Sequence, residues 1–231
     1  MAQLPTAVAD LCPPLGALAE SDGVRECLQF FTREKRWINE RHLEICRIPA
    51  PTFQEQERAA HLAGLLGGMG YETQIDRAGN VVTPVVYDRG APFVAVTAHL
   101  DTVLAPRLAG DIELRPNGVL AGPGVADNGA GLAALIAVAR ALQASPPLAD
   151  CTHNLLLVAN TGEEGEGNLL GMRHLCRQSS YARRISAFLV LDGAATDHIT
   201  TQALGSRRFE LTVTGPGGTD STSVAINVPC P

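Results

Sequence analysis

Apolar positions in this chain form short continuous runs that alternate with longer stretches of helical periodicity. Three runs are rich in β-branched and aliphatic residues, which is typical of strands buried on both faces of a parallel sheet. They are Phe93–Asp101, Asn154–Thr161 and Ile185–Leu191. Helical stretches near Gly129–Ala144 and Leu169–Gln178 lie between them. The alternation predicts an α/β fold in three layers, with a mixed, mostly parallel sheet covered by helices on both faces.

The residues before the first run predict two helices and two further strands. Ser21 or Asp22 is suited to cap a first helix, which prolines then end. Thr52 with Glu55 has the spacing of a capping box at the start of a second helix. The predicted elements are helices over Val24–Ile48 and from Thr52 toward Leu66, and strands near Tyr71–Ile75 and Val81–Val86.

The pattern changes after Asp192. Thr200–Gln202 and Arg208–Thr214 have the composition of ordinary antiparallel strands, and Gly215–Gly218 is suited to a turn. Thr219–Pro231 reads as a loop or a short extended segment.

Composition excludes several classes of function. The 231 residues carry a net charge of -6 and no basic stripe, so neither nucleic acid nor an anionic membrane is an expected partner. No uninterrupted run approaches the roughly eighteen apolar residues of a membrane span, and the first twenty residues lack the basic start of a signal peptide. The six cysteines form no C-x-x-C pair. We read them as reduced thiols of a cytoplasmic protein.

Acids and one imidazole follow the ends of the three predicted buried strands. They are His99 with Asp101, Glu163 with Glu164, and Asp192, while Asp127 lies at the mouth of the Gly129–Ala144 helix. Taken singly, each has a structural explanation as a helix cap, a loop charge or a turn residue. If the strands are neighbours, the side chains meet in one crevice, where carboxylates repel each other and favour a divalent cation. Oxygen and nitrogen ligands without thiolate suit zinc, with cobalt or manganese possible.

Four of these segments resemble the successive motifs of a known family. HLDTV, GPGVADNGAG, NTGEEGEGN and VLDG look like those of the di-zinc hydrolases that include aminoacylase, carboxypeptidase G and peptidase T. The likeness extends from about Ile48 to Gly218 and implies a zinc exopeptidase-like fold with two Zn²⁺ ions. Flanking segments, IPAPTFQEQERAAHL and GSRRFELTVTGPGG, resemble the same family.

The resemblance assigns roles residue by residue. His99 and Asp192 resemble ligands of the first zinc, Asp127 the ligand that bridges both ions, and Glu164 a ligand of the second. Asp101 resembles the carboxylate that orients the histidine, and Glu163 the general base. The family also has a cis peptide after the bridging acid, here Asp127–Asn128. One glutamate must stay off the metal to accept a proton from the activated water, whose pKa zinc lowers toward about 7.

Two parts of the family pattern are missing. The lid domain, often the dimer surface, is expected to be mostly absent, with its flanks joined near Gly218–Thr219, so the homodimer that the resemblance implies would lack its usual surface. The family's last histidine ligand has no counterpart up to Pro231, so the first site, His99–Asp127–Asp192, is expected to bind metal better than the second. The predicted organisation is an N-terminal arm (1–21), a zinc-hydrolase catalytic domain (22–204), a remnant of the first lid strand (205–218) and a segment returning to the catalytic domain (219–231).

The expected function is metal-dependent hydrolysis of an amide bond in short peptides, in the manner of a tripeptidase. Two alternatives remain open: an amidohydrolase acting on an N-acyl amino acid, and a catalytically impaired metal-binding fragment.

Overall fold

The computed structural model describes residues 22–116, 118–144, 151–193, 199–202, 205–215 and 218–228. The predicted arm, residues 1–21, lies outside these ranges. The described residues fall into two compact units, one up to residue 194 and one from residue 195.

The first unit is an α/β domain, as predicted. Its sheet has the order β1-β2-β6-β3-β7, in which β6 and β7 run parallel to the central β3, whereas β2 runs antiparallel to β6 and β1 antiparallel to β2. The strands are β1 (Gln74–Ile75), β2 (Val81–Val85), β3 (Phe93–His99), β6 (Asn154–Asn160) and β7 (Ile185–Val190), with a separate pair β4 (Glu113–Leu114) and β5 (Leu120–Ala121). The helices are α1 (Asp22–Arg33), α2 (Lys35–Cys46), α3 (Gln56–Gly68), α4 (Gly131–Ala144) and α5 (Leu170–Arg177).

The continuous apolar runs of β3 and β6 are explained by burial on both faces. Val96, Ala98, Leu157 and Ala159 pack into the core under α3 and α4, which contains Leu62, Leu135 and Ile136 among others. Their neighbours in sequence pack into a second core beside α5, formed by Val82, Phe93, Ala95, Leu156, Val158 and Leu175. Successive residues of a strand point to opposite faces, so a strand between two helical layers needs mostly apolar side chains on both faces.

The apolar helix α4 belongs to the interior. The stretch Val125–Ala144 is long and apolar enough to cross a membrane by composition, but a buried core helix has the same composition. Eight residues of α4 are buried, four of them alanines, and the small side chains let the helix approach the sheet closely.

Two predictions for the first unit were wrong in detail. Val24–Ile48 forms two helices that meet at Glu34, rather than one. β7 lies at the edge of the sheet, and its residues Ser186–Val190 are exposed, so it is not a buried strand. An apolar sequence alone does not distinguish a central strand from an edge strand whose apolar side chains are uncovered.

The second unit contains a long hairpin. β8 (Gly205–Gly215) pairs with β9 (Gly218–Val228) in antiparallel register from Gly205↔Val228 to Gly215↔Gly218. The turn was predicted, but Thr200–Gln202 is not a strand, and the supposed loop after Thr219 is mostly an eleven-residue strand. The expected return of 219–231 to the catalytic domain stays a prediction.

Candidate metal centre

The centre is built where β3 and β6 end side by side. The parallel register pairs His99 with Asn160, so the residues that follow each strand emerge at the same edge of the sheet. Leu191 donates its backbone N–H to Thr97 of β3, which brings Asp192 to that edge from the other side. Ligands of open α/β sheets bind at such carboxyl edges.

His99 is the central side chain of the cluster. It is 2% exposed, and its Nε2 lies 2.8 Å from Asp127 Oδ1 and 3.8 Å from Asp192 Oδ1. Its Nδ1 lies 2.9 Å from the backbone oxygen of Asp101, an arrangement in which Nδ1–H donates and Nε2 faces the acids. Two groups of potential ligand atoms lie within 4.8 Å of one another, namely His99–Asp127–Asp192 and His99–Glu163–Glu164.

The two groups share His99 and contain five of the six predicted site residues. The sixth, Asp101, has its Oδ1 3.5 Å from His99 Nδ1. This donor set fits a divalent cation. One imidazole and two carboxylates are a three-ligand set of the kind that catalytic zinc sites use. Asp127 is the most accessible member, with 62% of its side chain exposed. The peptide Asp127–Asn128 is cis, as the family resemblance implied.

Asp101 does more than orient His99. Its two carboxylate oxygens accept hydrogen bonds from the backbone N–H groups of Glu163 and Glu164, at 3.0 and 2.9 Å, and from the Thr52 hydroxyl at 2.9 Å. Burial alone would raise the pKa of Asp101, but the His99 ring and these donors lower it to about 2. Asp101 is thus an ionised anchor. It holds the loop that carries Glu163 and Glu164, which we call the two-glutamate loop, beside His99.

The acids give the centre a strongly negative field. Burial opposes protonation of the His99 ring, yet Asp101, Asp192 and Glu163 raise its pKa to about 11. The same carboxylates attract a divalent cation, which would replace that proton. Hydrogen bonding to His99 lowers the pKa of Asp192.

The pKa values of the two glutamates shift in the opposite direction from that of Asp192. Burial raises the pKa of Glu163, and repulsion from neighbouring acids raises it further. The attraction of His99 acts in the other direction but is outweighed. Burial and the charge of Asp127 raise the pKa of Glu164. A raised carboxyl pKa suits a group that must take up and return a proton near neutral pH.

Thr52 and Glu55 were read from sequence as a capping box, and this was wrong. Helix α3 has no side-chain cap bond, and both side chains support the centre instead. Thr52 donates to Asp101, and Glu55, which is buried, accepts the backbone N–H of Gly162 at 2.9 Å. The capping-box spacing is a local signal, whereas both actual partners lie 49 residues or more away in sequence.

Other supporting residues were not found by sequence reasoning. Asn80 is buried, and its Oδ1 accepts the N–H of Thr161, next to the two-glutamate loop. Asn128 donates to the backbone oxygen of Leu191, which ties the Asp127 turn to the Asp192 segment. Nothing in the local sequence of Asn80 marks it as a partner of a loop 81 residues later.

His42 also supports the centre. Its Nε2 lies 2.8 Å from the backbone oxygen of Val125, two residues before Asp127. Burial lowers the pKa of His42, in keeping with a neutral ring that donates to this oxygen. A side chain at Gly129 would meet both His42 and the Cys46 sulfur, so α2 packs closely against the Asp127 turn.

Comparison with known proteins gives a family and a fold. The profile of peptidase family M28 matches residues 80–221. The chain is 35% identical over 133 residues to the [LysW]-lysine hydrolase of Deinococcus radiodurans, a stretch that covers 57% of this chain and 34% of that protein.

Solved structures share the fold at low sequence identity. The dipeptidase Dug1p from Saccharomyces cerevisiae superposes with a TM-score of 0.63 at 16% identity, over 83% of this chain and 46% of that one. The Bacillus subtilis YXEP protein, described as a dinuclear metal-binding peptidase of family M20, gives 0.58 at 17% identity, over 81% and 52%. The chain spans about a third of the curated relative's length and about half of these structures. These comparisons confirm the predicted zinc exopeptidase-like fold and the predicted resemblance to exopeptidases of this kind.

Proposed function

The chain belongs to peptidase family M28, and from this we propose that it hydrolyses an amide bond in short peptides with the help of divalent metal at the His99 cluster. The observation that carries the proposal is the convergence of His99, Asp127 and Asp192 within 4.8 Å, beside two glutamates of raised pKa. The description of one structural neighbour as a dinuclear metal-binding peptidase supports it.

His99, Asp127 and Asp192 would hold the first ion, and Asp127 with Glu164 the second. A zinc ion bound there supplies Lewis acidity toward the amide carbonyl and makes water acidic near neutral pH. Glu163, fixed through its backbone by Asp101, accepts the proton of the attacking water and passes it to the leaving amine. Asp101 itself stays ionised and transfers no proton.

The two ion sites are expected to differ in affinity. Of the described residues, this assignment gives the second ion only the carboxylates of Asp127 and Glu164, whose charges interact, whereas the first ion has the His99 ring as well. Catalytic zinc sites usually have three protein ligands. Calorimetric titration with zinc should therefore show one tight and one weak site, and two equally tight sites would contradict this difference.

A second candidate is hydrolysis of an acyl group from an amino acid. It is favoured by the 35% identity to a hydrolase whose named substrate, [LysW]-lysine, is an amino-acid conjugate. Both reactions break an amide with the same groups, so the substrate pocket decides between them.

One assay separates these candidates. Purified chain reconstituted with zinc is offered a panel of di- and tripeptides beside N-acyl amino acids, including acyl-lysines. We expect hydrolysis that a chelator abolishes and zinc restores, with tripeptides preferred. Preference for the acyl amino acids would support the second candidate. Zinc binding without turnover of any amide would leave a catalytically impaired metal-binding fragment, and the proposal would be rejected.

A further inference from the structure

A groove separate from the metal-ligand cluster lies between the first hairpin of the sheet and helix α5. Its cavity has a volume of 880 Å³. It is lined by the edge strand β1, the turn that follows it, one side of α5 and the segment 178–181. We call it the arginine groove, because Arg77, Arg173 and Arg177 line it.

The charge of this groove is opposite to that of the molecule. The chain has 24 acidic and 18 basic residues, yet three exposed arginines line this one groove. In the described part of the chain no carboxylate forms an ion pair with any of the three. Arg173 and Arg177 lie four residues apart on α5, a spacing at which like charges repel and weaken a helix.

Asp76, the acid that lines the groove, cannot neutralise these arginines well. Its Oδ1 accepts the backbone N–H groups of Ala78 and Asn80 at 2.8 and 3.0 Å, and its Oδ2 accepts Asn80 Nδ2 at 2.8 Å. His174 Nε2 lies 3.7 Å from the same carboxylate. Asp76 is therefore committed to its own turn, and the guanidinium groups keep their hydrogen-bonding capacity for an external anion.

The groove is bordered by a free strand edge. β1 pairs only with β2 among the described strands, and Asp76 N donates to Asn80 O at the end of the ladder. In an antiparallel ladder the hydrogen-bonded pairs alternate, so the backbone N–H and C=O of Ile75 point away from β2. The Ile75 side chain is 48% exposed, and Leu170 and Tyr181 add apolar surface to the groove.

We propose that the arginine groove binds an extended acidic peptide segment of another protein, which adds to the edge of β1. Backbone hydrogen bonds to Ile75 would give such a segment its direction, as in other cases of strand addition. Carboxylates of the segment would pair with Arg77, Arg173 and Arg177, because guanidinium groups bind carboxylates through two parallel hydrogen bonds. The proposal does not depend on amide hydrolysis, since none of these residues belongs to the metal-ligand cluster.

The test is fluorescence anisotropy with a labelled octapeptide of alternating Glu and Val, at 50 mM NaCl. We expect it to bind at least tenfold more tightly than the same peptide with Gln in place of Glu. Binding should weaken at least fivefold at 300 mM NaCl, because the contacts are charged. Equal binding of the Gln peptide would overturn the proposal.

Variants locate the binding. Arg173→Ala with Arg177→Ala should weaken binding of the Glu peptide at least tenfold, and Arg77→Ala alone, on the opposite side of the groove, about threefold or more. Arg115→Ala is the matched control, because Arg115 is an exposed arginine on a different hairpin, and it should leave binding within twofold. If the double variant is destabilised in thermal denaturation, Arg77→Ala decides alone. Unchanged binding in Arg77→Ala and in a folded double variant would overturn the site.

Two further probes distinguish other ligands. The Glu peptide with alternate backbone nitrogens methylated should bind at least tenfold more weakly, since it cannot complete a strand ladder. Citrate should compete only at concentrations far above those of the unlabelled peptide. A methylated peptide that binds equally well would refute strand addition. Citrate that competes as strongly as the peptide would show a small-anion site and refute it too.

Discussion

At the residue scale, the acids of the centre divide into two groups according to their surroundings. Asp101 receives three hydrogen bonds and its pKa is lowered, whereas Glu163 and Glu164 receive none at their carboxylates among the bonds described, and their pKa values are raised. Neighbouring carboxyl groups whose environments shift their pKa values apart are suited to different roles. Asp101 fits the role of an anchor and Glu163 that of a proton carrier.

Replacing Glu163 with Gln tests the proton carrier. The change keeps the size and the backbone N–H that Asp101 binds, but removes the basic oxygen. We expect kcat to fall by roughly 10²- to 10⁴-fold, the usual contribution of a general base, while zinc affinity stays within about threefold. Asp127→Asn serves as the contrast, because it should lower zinc affinity. If Glu163→Gln kept full kcat, Glu163 would not be the base.

Acid unfolding tests Asp101. Its folded pKa of about 2 lies below the ordinary value of 3.8, so its stabilising effect is present above pH 3.8 and is lost as the pH falls through 2. A shift of this size corresponds to about 2 kcal/mol of the free energy of unfolding. Urea denaturation between pH 5 and pH 2, with a chelator present, should show this loss in the parent chain. In Asp101→Asn the loss should be smaller by about that amount, and equal pH dependence would contradict the assignment.

At the scale of elements, the centre depends on contacts between segments that are distant in sequence. The two-glutamate loop is held by Glu55 before α3, by Asn80 before β2 and by Asp101 after β3. The ends of the strands, and hence His99, Asp101, Glu163, Glu164 and Asp192, were predictable because apolar runs end abruptly in polar residues. The supporting side chains were not, since Thr52, Glu55 and Asn80 have local sequences equally suited to caps and turns.

Thr52 provides a direct test of this support. Thr52→Val keeps the shape of the side chain but removes the hydroxyl that donates to Asp101. Losses of such second-layer partners typically lower metal affinity by about 10- to 100-fold. Zinc affinity, measured by competition with a chelating dye, should fall by at least tenfold in Thr52→Val. Thr52→Ser, which restores the donor, should recover most of it, and a Thr52→Val chain with unchanged affinity would contradict the role.

The burial of α4 leads to a separate prediction about the free energy of unfolding. Leu135 is fully buried in the core between the sheet and helices α3 and α4. Leu135→Ala should lower the free energy of unfolding by about 3 kcal/mol. Leu28→Ala on α1 is the matched control, because Leu28 is 54% exposed and its loss should cost about 0.5 kcal/mol or less. Equal losses in urea denaturation would contradict the buried placement of α4.

At the scale of the whole molecule, the sequence predicted the class of fold correctly, but it did not predict which strands of the sheet lie at an edge. Alternating apolar runs and helices were enough for the three-layer α/β arrangement, because a strand buried on both faces must be mostly apolar along its length. They were not enough to place β7 at an edge, since Phe188, Leu189 and Val190 are as apolar as the residues of β3. The long β8–β9 hairpin was missed in part because Thr219–Val228 is rich in small polar residues.

The central claim is that His99, Asp127 and Asp192 together hold a divalent cation, and anomalous diffraction at the zinc edge from zinc-soaked crystals tests it most directly. We predict a strong anomalous peak about 2.0–2.2 Å from His99 Nε2 and from a carboxylate oxygen of each aspartate, the usual zinc distances. A zinc-saturated crystal with no peak among these three side chains, or with peaks only elsewhere, would contradict the account.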